Sequence, residues 1–120
     1  MTGKIETELG TIQISNDVIA KIAAIVTSNC YGVVGMAYRS RGDGFASMLR
    51  GDTVAKGVKI TVLEDNTLLV ELHIISQYGV NIAAISQSII GSVSYQIKSL
   101  TGFDVKDVKV HVESVRVNGN

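Results

Sequence analysis

The stretch GVKITVLEDNTLLVELHII, residues 57–75, decides the fold. Val58, Ile60 and Val62 alternate with Lys59, Thr61 and Leu63. After Glu64-Asp65-Asn66-Thr67, Leu68, Val70, Leu72 and Ile74 alternate with Leu69, Glu71, His73 and Ile75. A period of two belongs to a strand with one buried face. Two such runs around a polar turn predict a β-hairpin.

Toward the C-terminus, Asn81 supplies an N-cap, and Ile82, Ile85, Ile89, Val93, Ile97 and Leu100 recur at three- and four-residue steps. That spacing predicts a helix over 82–100 facing a core, with Gly102 as its C-terminal cap. A last strand over about 105–117 alternates Val108, Val110 and Val112 with Lys109, His111 and Glu113, then adds Val115 and Val117. Toward the N-terminus, residues 4–15 read as extended, with a break at Gly10. Ser15-Asn16-Asp17 then starts a helix over about 16–29. Its core stripe is read as Val18, Ile22, Ile25, Val26 and Asn29, with Ile19 at the edge. Gly32 and Gly35 bracket Val33-Val34 as a helix stop and a short strand. Residues 39–56 lack an apolar period and are expected to be a mobile loop.

The expected order is β-α-β-β-β-α-β. It describes one α+β domain over residues 1–120, a mainly antiparallel sheet with two amphipathic helices on one face. With 46% apolar and 18% charged residues, the chain is too apolar to be disordered. Zero net charge gives no general field for nucleic acid or anionic lipid. The longest run without Asp, Glu, Lys, Arg or His, from Ile74 to Ile97, is full of Ser, Gln, Asn and Gly and is too polar to span a bilayer. No signal peptide is read at the N-terminus. The expectation is a cytoplasmic protein without direct membrane insertion.

Residues with chemical potential stand isolated in the sequence. His73 and His111 occupy the polar phase of their strands and are expected to face solvent, with no second ligand at metal-binding spacing. Cys30 ends an apolar helix and reads as a buried, inert thiol. Gly42-Asp43-Gly44 lacks the lysine of a phosphate loop, and Gly32-Val33-Val34-Gly35 has an apolar middle unsuited to clamping nucleotides. No nucleophile–base pair is legible, so catalytic residues, cofactor, metal and small-molecule substrate are all expected to be absent.

Five strings in order resemble one family: GTIQISNDVIAKIA at 10–23, YGVVGMA at 31–37, GVKI at 57–60, ISQYGVNIAAISQSI at 75–89 and TGFDVKDVKVHVESV at 101–115. Together they are similar to the alkaline shock proteins of Gram-positive bacteria, also called envelope stress response proteins. The chain looks most like the small housekeeping-type members. The resemblance implies a cytoplasmic, non-enzymatic protein linked to cell-envelope and alkaline stress. Some members are held at the membrane by a separate anchor protein, which makes such an anchor a candidate partner here.

The helix surfaces suggest how such a protein works. On helix 82–100 the side away from the core stripe carries Ala84, Gln87, Ser88, Gly91, Ser94 and Tyr95, and Lys98 is the only charge. Solvated helices ordinarily carry more charge. A homo-oligomer contact near Ala84, Ser88, Gly91 and Tyr95 is therefore expected. Helix 16–29 repeats the pattern with Ala20, Ala23, Ala24 and Thr27, relieved only by Asp17 and Lys21, though side-by-side packing of the helices in one subunit would also hide such faces. The alternative function is a nucleic-acid-binding module using the basic loop 39–59, against which zero net charge and few aromatics argue. An enzyme whose site forms only on oligomerisation also stays open.

Overall fold

Ser15 turns the chain from strand to helix. Its hydroxyl accepts from the backbone N–H of Asp17 at 3.1 Å and of Val18 at 3.4 Å, which satisfies two donors of the first helical turn. The computed structural model describes residues 2–37, 53–55 and 57–117. In chain order these form β1 (Thr2–Thr7), β2 (Gly10–Ser15), α1 (Asn16–Ser28), β3 (Val33–Met36), β4 (Thr53–Ala55), β5 (Val58–Val62), β6 (Leu68–Gln77), α2 (Ile82–Thr101) and β7 (Val105–Arg116).

The hairpin expected from residues 57–75 is present as β5 and β6, in register from Val58↔Leu72 to Val62↔Leu68. β6 is the spine of a five-stranded sheet. Along one edge it pairs antiparallel first with β5 and then with β3, while β4 extends the sheet beyond β5. On its other edge it pairs with β7, in parallel. A parallel neighbour needs a crossover, and α2 supplies it. The sheet is thus mainly antiparallel, in an α+β fold. The expected caps of α2 hold. Asn81 Oδ1 accepts from Ala84 N at 3.0 Å, and Gly102, left-handed at φ 83°, donates its N–H to Lys98 O.

One sheet face and both helices enclose an aliphatic core. β5 gives Val58 and Ile60, β6 gives Leu68, Val70, Leu72 and Ile74, and α2 gives Ile85, Ile89, Val93 and Ile97. Each such side chain contributes about 1.5–3 kcal/mol when fully buried.

Four expectations need correction. Residues 4–15 are two strands, not one extended element. The chain reverses at Glu8-Leu9, and β1 pairs with β2 in a separate two-stranded sheet. Residues 53–55 of the expected loop form β4, and the rest of 39–56 lies outside the described residues. The end positions of the α2 stripe, Ile82 and Leu100, are exposed. Helix α1 is rolled relative to the expected stripe. It buries Ile19, Ala20, Ala23, Ala24 and Thr27, whereas Val18 is 47% and Ile25 63% exposed. The small side chains let α1 lie close to the sheet and to α2, with Thr27 Oγ1 returned to Ala23 O at 2.7 Å. Close approach gains more dispersion contact than two protruding aliphatic side chains at a wider spacing.

The roll of α1 separates two lysine substitutions. Ala23→Lys places an unpaired charge in the core at a cost of several kcal/mol, comparable to the whole stability of a small domain. Loss of the cooperative urea transition is the expected outcome. Ile25→Lys is expected to stay folded, within about 1 kcal/mol of wild type. The reverse order would restore the original stripe.

Candidate functional site

Two surfaces carry features beyond the core. The first is the outer side of the helix layer. Ala84, Ser88, Gly91 and Tyr95 lie along one side of α2 and all are exposed, Tyr95 at 67%. Ala84 and Ser88 come together with Tyr31, Asn81 and Ile85 around a shallow cavity of about 190 Å³. Tyr31, 81% exposed, follows α1 and was not a sequence candidate. It is placed there because Gly32, at φ +85°, packs against Ile85, whose Cδ1 would stand 2.2 Å from an added Cβ. Lys98, the one charge on α2, is engaged at the far end with Asp104 at 3.0 Å and Gly102 O at 3.2 Å. The corresponding expectation for α1 fails, because Ala20, Ala23, Ala24 and Thr27 are inside the subunit. The apolar atoms that α1 exposes are instead those of Val18 and Ile25.

The second surface is the sheet face away from the helices. Glu71 and His73 alternate there along β6, and the parallel register sets His111 directly beside His73. The two imidazoles stack, with ring centroids 4.5 Å apart and planes 9° from parallel. This changes the reading of His73. It lies on the polar phase, yet it is only 7% exposed, because neighbouring side chains cover its ring. Glu113 Oε1 sits 2.7 Å from His73 Nδ1. A register shift puts Glu113 there: Ile74 pairs with Val112 and Ile75 with Ser114, so Glu113 is the extra residue of a β-bulge. Bulges commonly re-aim a side chain in this way. Donor atoms of Glu71, His73 and His111 all lie within 4.8 Å of one another. The sequence held one sign of the bulge, the step of three from Val112 to Val115 after steps of two from Val108 to Val112.

Two further features are less specific. A cleft of about 530 Å³ opens between the β1–β2 hairpin and the β5–β6 turn, where Asn66 Nδ2 donates to Lys4 O. Within that turn, Thr67 donates its hydroxyl to Asp65 Oδ1 at 2.6 Å and its N–H at 3.2 Å, holding the Asp65 carboxyl below its ordinary range. Cys30 is half-buried, and its thiol donates to Val26 O at 3.3 Å. Burial pushes the thiol's pKa up, against a smaller lowering by a hydrogen bond with Ser92.

These features define a small α+β module with an uncharged outer helix face and a histidine–carboxylate cluster on its sheet. Residues 4–117 match the profile of the alkaline shock protein 23 family, described as having a cell envelope-related function, and the chain belongs to that family. It is 37% identical over 120 residues to the uncharacterized protein Spy1614 of Streptococcus pyogenes serotype M6, covering 99% of this chain and 98% of that one. It is 33% identical over 118 residues to the uncharacterized protein YloU of Bacillus subtilis strain 168, covering 98% of each. A more distant relative, the uncharacterized protein YqhY of Bacillus subtilis strain 168, is 24% identical over 114 residues, covering 92% of this chain and 81% of that one. No solved structure is a significant match.

The raised pKa of Cys30 has a kinetic consequence. Only the thiolate attacks alkylating reagents, so at pH 7.5 the native thiol is expected to react more slowly than that of the urea-unfolded chain. Timed iodoacetamide labelling read by mass spectrometry measures this. Equal rates would show a reactive thiol in place of the inert one.

Proposed function

We propose that the protein is a non-enzymatic, cytoplasmic structural module of the cell envelope system, acting through self-association and through a protein partner near the membrane. The observation that carries the reading is the outer face of α2. Ala84, Ser88, Gly91 and Tyr95 are exposed along a helix of 20 residues whose one charge lies in its last turn. Ile82 and Ile90 of α2, and Tyr31 from the turn after α1, add exposed apolar surface. A monomer pays in solubility for such a surface, and a second subunit would cover it. Small residues at 84, 88 and 91 let a facing backbone approach closely, and Tyr95 offers a rigid amphipathic anchor at the end of the stripe.

The cell envelope-related function of the family gives the setting. No helix among the described residues is long and apolar enough to cross a membrane, so recruitment to the envelope through an anchoring protein is the simplest arrangement. The non-enzymatic reading is supported by the half-buried thiol of Cys30, with its raised pKa. The alternative, nucleic-acid binding by loop 39–59, invokes Arg39, Arg41, Arg50 and Lys56, which lie outside the described residues, and no observation favours it.

Ser88→Arg tests the contact. Ser88 is exposed, so the variant is expected to fold. An arginine buried unpaired in an interface costs about 3 kcal/mol or more, over a hundredfold in Kd. Light scattering at matched concentration is expected to show an oligomer for wild type and a monomer for the variant. Wild type that is monomeric at high micromolar concentration would defeat the proposal.

A further inference from the structure

We infer that Glu71, His73 and His111 form a binding site for a divalent transition-metal cation on the outer face of the sheet. The parallel pairing of β6 with β7 brings the histidines side by side, and Glu71 precedes His73 on the same face. Two imidazoles and a carboxylate are a borderline N/O donor set, suited to Zn²⁺ and its neighbours rather than to Mg²⁺ or Ca²⁺.

The second layer of the site is already built. Glu113, delivered by the bulge, holds Nδ1 of His73 at 2.7 Å. The contact with Glu113 sets the ring orientation, and in the neutral tautomer that donates from Nδ1 the lone pair lies on Nε2. Carboxylate–histidine pairs of this kind characteristically orient a ligating imidazole and raise its basicity. His111 is stacked 9° from parallel on His73, so to ligate it must tilt out of the stack and turn its in-plane lone pair toward a cation held by His73.

The geometry needs a modest closure. The donors lie within 4.8 Å of one another. Ligands at about 2.1 Å around a tetrahedral zinc stand roughly 3.4 Å apart. Glu71 is half-buried and His111 exposed, so side-chain rotation of these two can supply the difference while His73 stays fixed. Water takes the fourth position. Glu71 lies in register between Lys59 on β5 and Lys109 on β7. Their positive charge weakens the cation's hold on the carboxylate, so micromolar rather than nanomolar affinity is expected.

The site goes beyond the self-association proposed above and does not depend on it. Isothermal titration of the tag-free full chain with Zn²⁺ is the test, alongside His111→Ala and Glu71→Gln. Both variants change residues outside the core, and circular dichroism checks their fold. The expected result is one Zn²⁺ per chain for wild type, at least tenfold weaker binding for each variant, and a rise in Tm with zinc that His111→Ala abolishes. No saturable binding by wild type up to about 100 µM Zn²⁺, or undiminished affinity in either variant, would overturn the site.

Discussion

The backbone of His73 is where three strands meet. Its N–H donates to Gly57 O and its carbonyl accepts from Ala37 N, both at 2.8 Å. There β5 hands one edge of β6 over to β3, while β7 runs along the other edge. The handover leaves no space for a side chain at Gly57. An added Cβ would lie 2.5 Å from Ala37 O and 3.0 Å from His73 O, and the residue sits at φ +80°. Both conditions select glycine. With the edge continuous, β6 can present four core side chains inward and Glu71 and His73 outward.

Much of this was legible in the sequence, and the misses share one cause. Alternation over 57–75 marks β5 and β6 because each strand has one buried face, which a period of two encodes locally. Asn81 and Gly102 cap α2 because their roles depend on neighbours within one turn. The histidine pair was invisible, since it depends on β7 lying parallel to β6 at one register, a tertiary fact joining residues 38 positions apart (111 − 73). Helix α1 failed for a related reason. Periodicity weighs residue size, and the larger side chains of Val18 and Ile25 outweigh an alanine face. The decisive quantity was how closely the helix approaches the sheet, which favours Ala20, Ala23 and Ala24.

The proposed contact and the inferred cation site lie on different surfaces of the fold. The outer side of α2 carries no charge from Ala84 to Tyr95, has Tyr31 beside Ala84 and Ser88, and is the surface of the proposed contact between subunits. The sheet's outer face is polar and carries the inferred cation site. The two are separated by the core itself, so a cation on the sheet can brace β6 and β7 without obstructing the helix face.

The most direct measurement of the central claim is amide hydrogen exchange at His73. Its N–H is bonded to Gly57 O at the middle of the spine strand. Exchange there should require global unfolding, with protection equal to that of Leu72 and Ile74 and far above that of the β1–β2 hairpin. A His73 amide that exchanges as fast as the hairpin amides would mean that β5 and β3 do not meet on β6, and the account of the sheet and of its outer face would fall with it.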